Sequence, residues 1–499
     1  PSGDISRLGF VGQSYQITQW YPKPAVFDNE GWHQMPYLTQ GEFYSEFGSF
    51  DVEITLPKNY VVGATGDLQT QSEIDFLSSK AKETAKKFLE EGFADESSTS
   101  SFPPSADDYK TIRFTQNNVH DFAWFADKRF EVLKGEVVLP NSERIVDTWA
   151  MFVPENYEVW KDAVTYINDA LFYYSKWNGD YPYNQATAVD GTISAGGGME
   201  YPNVTVIGET RTEIDLEIVI VHEVGHNWFY GLLGSNERSH AWMDEGLNTL
   251  NEMRYIATKY PNNSYLTDML GGIGPKVHLD SLSHYDMSML TYKSVAGLGL
   301  DQPIELEADD YKSVNYGAIV YGKTGLVFTY LKDYLGEELF DKIMKKYFID
   351  WHFKHPQPAD LRAAFEAEVK EDFSWFFDDI IQTTKQIDFK IKSVSLENEK
   401  TVVKVSNKGQ IAGPCRVDAL KSGKIVATNW IKPNAGELIT EFDGVDFDEI
   451  IIDKAGVMPD MNSNNNYWRN DKVFNRVEPF SLEFLAGDNE GKNWNASWL

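Results

Sequence analysis

The sequence predicts a multidomain α+β protein: a β-rich N-terminal domain over 1–133, a mostly helical domain over 134–385 and a C-terminal β-sandwich over 386–499. Three observations predict it. Apolar residues alternate with period two near both ends of the chain. Between those ends they recur at helical spacing. Inside the helical stretch lies His222-Glu223-Val224-Gly225-His226, followed after eighteen residues by Glu245. The 499 residues are enough for two to four domains.

In the first domain, Phe50 to Pro57 alternates apolar and polar, and Val61 to Gly66 follows with turn glycines. Residues 71–94 switch to helical spacing, carried by Ile74, Leu77, Ala81, Ala85 and Phe88. A serine- and proline-rich loop runs from Glu96 to Asp108. Strands resume at Thr111–Phe114 and Phe122–Phe125. A helix is therefore inserted into a β domain.

In the second domain, Val159 to Trp177 has the spacing of one helix ending at Gly179. A glycine-rich segment, Gly191 to Gly198, leads into Met199-Glu200. Helices are expected around the two halves of the His–Glu motif, then over about 322–336, 338–350, 358–369 and 373–382. Beyond 386, Phe389–Val394, Thr401–Val405 and Lys424–Ala427 are strand runs separated by turn residues, the pattern of a sandwich.

A net charge of −31 with no lysine- or arginine-rich block argues against nucleic acid and anionic membranes as partners. No apolar run is long enough to cross a bilayer. Cys415 is alone, so no intrachain disulfide can form. The chain begins at Pro1 with neither methionine nor signal sequence. It reads as a processed or truncated form, and an exported bacterial protein, periplasmic or secreted, is the favoured address.

The chemistry follows from spacing. Histidines at i and i+4 project from one helix face, so both His222 and His226 can reach a single metal ion. Glu223 points about 100° round the helix. It can sit beside the metal without binding it and take a proton from a water there. Glu245, opening a second helical pattern, would be the third protein ligand, and the fourth position stays open. One zinc ion is expected. Glu252, on the same face two turns on, could orient a ligand histidine. His240 and the remaining histidines, His284 among them, form no ligand spacing and read as structural or surface residues.

With those residues the chain resembles the zinc aminopeptidases that include aminopeptidase N and the leukotriene hydrolases, the gluzincin aminopeptidases. Gly197-Gly198-Met199-Glu200-Tyr201-Pro202 resembles the exopeptidase motif GAMEN, with Tyr201 in place of asparagine. Trp242-Met243-Asp244-Glu245-Gly246 resembles WxNEG, and Tyr321-Gly322-Lys323 resembles YxKG. The resemblance runs from about residue 10 to 385. It implies a thermolysin-like catalytic domain and a zinc aminopeptidase that hydrolyses the N-terminal bond of peptides. Glu223 would be its general base and Tyr321 its oxyanion donor, with Tyr316 as the alternative. Glu200 would anchor the substrate's ammonium, beside Gly197, Gly198 and Met199. Gln19 falls where the family has a glutamine lining the pocket for the first side chain. The family's first domain is longer, so an N-terminal fragment is expected to be missing or separate. Peptides with a free N-terminus are the expected partners. A thermolysin-like endopeptidase shares the zinc residues but lacks the amine anchor. A non-catalytic peptide binder on the same scaffold would not need an intact general base.

Two other patterns carry less. Gly317 to Thr324 matches GxxxxGK[ST], but its Ile-Val-Tyr interior is too bulky for a phosphate cradle. Asp460 to Asp471 resembles a calcium loop without its glycine or final glutamate, and an asparagine-rich turn is expected.

Overall fold

The computed structural model describes residues 7–36, 38, 40–90, 101–192, 197–261, 282–434, 436–444 and 446–470. It is mixed α+β and divides into two compact units. The first comprises Pro1–His284, Glu307–Asp309 and Asp341–Ala364; the second comprises Tyr285–Leu306, Asp310–Phe340 and Phe365–Leu499.

The first unit begins with strands. A four-stranded antiparallel sheet runs in the order Gly9–Val11, Ser14–Ile17, Trp124–Asp127, Val61–Ala64. The alternating run at Phe50 is a ten-residue strand, Gly48–Pro57, paired with Tyr109–Val119. Their inward residues Ile54, Leu56, Ile112 and Phe114 form one core with Tyr60, Val62 and Phe122. The inserted helix is present as Gln71–Glu90; the last predicted turn, 91–94, and the start of the loop that follows lie outside the described residues.

A five-stranded sheet positions the site. Its order is Glu131–Val138, Ile145–Phe152, Gln185–Asp190, Val204–Ile207, Gly198–Tyr201. The three middle strands are parallel, so a crossover must join the first two of them. Helices Tyr157–Trp160 and Ala163–Asn178 make it. The sequence suggests one continuous helix here. The structure breaks it at Asp162, whose φ of −103° and ψ of 6° leave the helical region. Aspartate competes for backbone groups in just this way. The edge strand Gly198–Tyr201 turns back antiparallel through Pro202-Asn203, where Asn203 takes φ +48°. Asparagine tolerates that conformation better than most residues.

Two helices complete the frame. Glu213–Gly225 is capped by Thr212, which accepts the Asp215 N–H at 3.1 Å, and buries Leu216, Ile220, Val221 and Val224. Leu247–Lys259 crosses it. Asn248 donates to the His222 carbonyl at 2.8 Å and accepts from the Tyr174 hydroxyl at 2.9 Å. This approach needs Gly225. A Cβ there would lie 2.1 Å from the Asn248 side chain and 2.5 Å from the Tyr174 ring.

In the second unit, a wide helical turn, Tyr316–Lys323, runs into helix Thr324–Leu335. The expected helix at 373–382 is a second wide turn, Trp375–Ile381. Two antiparallel sheets follow, ordered Phe389–Glu397, Lys400–Asn407, Leu438–Asp443 and Lys424–Ile431, Cys415–Lys421, Glu449–Ile452, Tyr467–Arg469. Both bury alternate apolar residues, such as Val403 and Val405 in one and Val417 and Ala419 in the other. Asp460 accepts the backbone N–H groups of Phe389 at 2.9 Å and Asn462 at 2.8 Å, which is turn chemistry. Asp471, the last member of the calcium-like pattern, lies outside the described residues. No described helix is long and apolar enough to cross a membrane.

Gly225→Ala should therefore force the two site helices apart. Overpacking of this kind costs about 1–3 kcal/mol. Thermal melting of the metal-free protein should show a clear drop, whereas Gly197→Ala, where the nearest atom is 3.5 Å away, should leave the melting point nearly unchanged.

Candidate metal centre

His222 lies in the last turn of helix Glu213–Gly225, and His226 caps its end. Glu245 comes from a wide π turn, Trp242–Gly246, which precedes Leu247–Lys259. The sequence suggests ordinary helix there. The wider turn brings Asp244 and Glu245 both to the histidines. His222 Nε2 and His226 Nε2 face each other at 3.1 Å. Glu245 Oε2 is 3.3 Å from the first and 3.2 Å from the second. These three residues are a group able to hold a metal ion.

The geometry suits zinc. A tetrahedral ion holding donors at about 2.0–2.1 Å spaces them about 3.3–3.4 Å apart. The other ring nitrogens are engaged: His222 Nδ1 meets Glu252 Oε2 at 2.8 Å, and His226 Nδ1 meets Asp244 Oδ1 at 2.6 Å. Each Nδ1–H donates to a carboxylate, so each Nε2 presents a lone pair. Two nitrogen lone pairs and a carboxylate oxygen this close repel unless positive charge sits between them. Without a metal that charge is protons. Burial alone would depress His222, but hydrogen bonds to Glu245 and Glu252 outweigh it and lift the imidazole to about 10. Burial would raise Glu245, yet His226 and His222 hold it well below the usual carboxylate range.

Glu223 is buried beside the trio, with Oε2 lacking a hydrogen-bond partner among the described residues. Burial lifts its carboxyl to about 7, against the pull of His222 and His226. Gly198 explains how it fits: a Cβ at that position would lie 2.5 Å from the Glu223 carboxyl carbon.

Glu200 stands on the edge strand, half-buried, and its carboxyl group makes no hydrogen bond among the described residues. It groups with Glu223 and His226, and also with Glu237 and Asp244, ligand atoms lying within 4.8 Å of one another in each group. Burial raises Glu200 well above the usual range; His226 opposes this, while Glu223, Glu245 and Asp244 add to it. Strand alternation sends Met199 and Tyr201 the other way. Both join the core, where Tyr201 packs edge-on against Phe43. The side chain in the place of the family asparagine thus faces away from Glu200.

Gln19 donates its amide to Glu42, which also takes Arg7 at 2.6 Å. With Tyr21, Lys23, Phe43 and Arg238 it lines a cavity of about 560 Å³. No hydrogen bond joins Gln19 to Glu200. Tyr321 belongs to the second unit, half-buried on its wide turn, with its ring 5.9 Å from that of Tyr316. Lys323 is buried there near Tyr292, not exposed as a phosphate ligand would be.

Two site residues escaped the sequence. Asp244 partners His226, a role masked because it precedes a ligand in a turn of unexpected width. His284 meets Glu252 Oε1 at 3.0 Å; it carries no spacing signal, being 62 residues from His222.

Comparison with known proteins agrees with this geometry. Residues 164–380 match the peptidase family M1 domain. The chain is 25 % identical over 245 residues to aminopeptidase M1-C of Oryza sativa subsp. japonica, covering 46 % of this chain and 26 % of that protein. It is 30 % identical over 185 residues to leucine aminopeptidase 2 of Emericella nidulans, covering 35 % and 27 %. It is 28 % identical over 172 residues to a leukotriene A-4 hydrolase homolog of Botryotinia fuckeliana, covering 34 % and 24 %. The matches thus span about a quarter of the length of these relatives. The crystal structure of Legionella pneumophila aminopeptidase A in complex with aspartic acid has a similar fold, with a TM-score of 0.62 at 13 % identity over 92 % of this chain and 48 % of that one. Residues 164–380 thus resemble a peptidase family M1 domain, as the motifs around His222, Glu245 and Glu200 lead one to expect.

Proposed function

We propose that the protein is a zinc-dependent aminopeptidase that removes the first residue of peptides with a free N-terminus. The observation that carries this is the convergence of three metal-donor atoms with two further carboxylates, Glu223 and Glu200, within reach of the same histidine. In this proposal residues 134–385 are the catalytic domain, flanked by domains at 1–133 and 386–499.

His222, His226 and Glu245 hold the ion. When bound, zinc acts as a Lewis acid that polarises the scissile carbonyl and makes water a stronger acid. Glu223 takes the proton from the attacking water and passes it to the leaving amine. The Tyr321 phenol donates to the developing oxyanion. Glu200, whose carboxyl group has no hydrogen-bond partner among the described residues, receives the substrate's α-ammonium. That cation needs a partner, because a buried unpaired charge costs several kcal/mol. Gly197, Gly198 and Met199 keep the strand close enough for Glu200 to do so, and Gln19 borders the first side chain's pocket.

Three outcomes test the proposal. Glu223→Gln should retain zinc, measured by elemental analysis, while peptide hydrolysis falls by several orders of magnitude; His222→Ala should lose the metal. Near-normal turnover in the glutamine variant would remove Glu223 from the reaction.

Zinc uptake should depend on pH with a defined sign. His222 holds its proton up to about pH 10 in the metal-free protein. The ion must displace that proton, so apparent affinity should rise between pH 6 and 9. Calorimetry in buffers of different ionisation heat should detect proton release, and a pH-independent affinity would contradict the assignment.

Free-amine peptides should be trimmed one residue at a time, and their acetylated versions should be inert. Glu200→Ala should cost about 2–4 kcal/mol in kcat/KM on free-amine substrates without changing zinc content. Mass spectrometry showing internal cuts in an acetylated peptide would favour an endopeptidase instead.

A further inference from the structure

We infer that His284 is a positioning residue for the metal site, acting on His222 through Glu252. The inference rests on the assignment of His222 as a metal ligand. Glu252 is almost fully buried, and its two oxygens have different partners. One accepts from His222 Nδ1 at 2.8 Å; the other lies 3.0 Å from His284 Nε2. The His284 side chain is 23 % exposed, so the row runs from the solvent edge to the metal-facing imidazole.

The need for an outer partner follows from side-chain length. A glutamate's last torsion is broad and roughly two-fold, so a carboxylate held at one oxygen can swing. Swinging Glu252 would swing the Nδ1–H of His222, and with it the lone pair on Nε2. His284 pins the second oxygen and fixes the carboxylate plane. Asp244 shows the contrast. It holds His226 in the same way at 2.6 Å, yet its second oxygen has no hydrogen-bond partner among the described residues. Asp244 is shorter by one torsion and fully buried, so packing alone sets its direction. The two ligand histidines are thus oriented by different means, and only the longer carboxylate carries a clamp.

The full chain tests this through zinc affinity, measured at fixed pH by competition with a chromogenic chelator. His284→Leu should weaken zinc binding about tenfold, the lower end of what orienting partners of metal ligands contribute. His284→Gln, whose amide can still donate to Glu252, should stay within about twofold of the parent. In a Glu252→Gln background, His284→Leu should add no further loss, because residues acting through one another are not additive. If the leucine variant does not fold, His284→Asn, whose amide stops short of Glu252, carries the same expectation. Parental affinity in His284→Leu would overturn the inference. So would an equal loss in His284→Gln, or an undiminished loss in the Glu252→Gln background. A parent chain that takes up no zinc at all would instead refute the metal assignment.

Discussion

Two imidazole nitrogens facing each other at 3.1 Å, with a carboxylate oxygen closing the triangle, are an arrangement that must be forced. Around it lie further carboxylates, Glu200, Glu223, Glu237 and Asp244. Two unit charges of like sign about 4.8 Å apart cost on the order of 3 kcal/mol at an effective dielectric constant of 20. The protein holds these carboxyl groups in one place, with burial raising Glu200 and Glu237 well above the usual carboxylate range so that not all of them carry charge. It does so by burying the apolar faces of the helices that carry them and by tying those helices together at Asn248, Tyr174 and Gly225. A divalent cation relieves the cost at its centre. The cluster therefore has much to gain from a bound cation.

Much of this was legible in the sequence, because periodicity and spacing are properties of single elements. The i, i+4 histidines needed only a helix, and the alternation at Phe50 needed only a strand. The break at Asp162 and the π turn at Trp242–Gly246 were hidden, since each depends on how the local backbone resolves competing bonds. Long-range partners were hidden for a different reason. His284 finds Glu252, and Gln19 finds Glu42, through tertiary packing that leaves no pattern in either segment. Tyr201 lies between: alternation on a strand starting at Gly198 already sends it away from Glu200, once that segment is recognised as a strand.

Asp244 illustrates how one departure from a family pattern changes the electrostatics. An asparagine at that place would accept the His226 Nδ1–H without a charge. Aspartate accepts it with one, which makes the imidazole a stronger electron donor. It also places an anionic oxygen near Glu200 and Glu237. Glu237 answers part of that repulsion by accepting the Phe43 N–H at 2.8 Å. The same segment that walls the cavity around Gln19 is thereby tied to the acidic cluster.

The strand edge sets the reach of the proposed reaction. Glu200 pairs across the hairpin with Thr205, so its height along the sheet is fixed by backbone hydrogen bonds and not by a loop. Two residues earlier, Gly198 leaves room for the Glu223 carboxyl, which a Cβ would displace. Glu200 on the strand and Glu223 on the helix are thereby gathered with His226, their ligand atoms within 4.8 Å of one another. If Glu200 receives a substrate's ammonium as proposed, the span from there to His226 is short, and it lengthens only if the strand unpairs. Under the proposed function, trimming of a single residue would be a consequence of sheet register, and Gly198 before Glu200 serves close approach rather than flexibility.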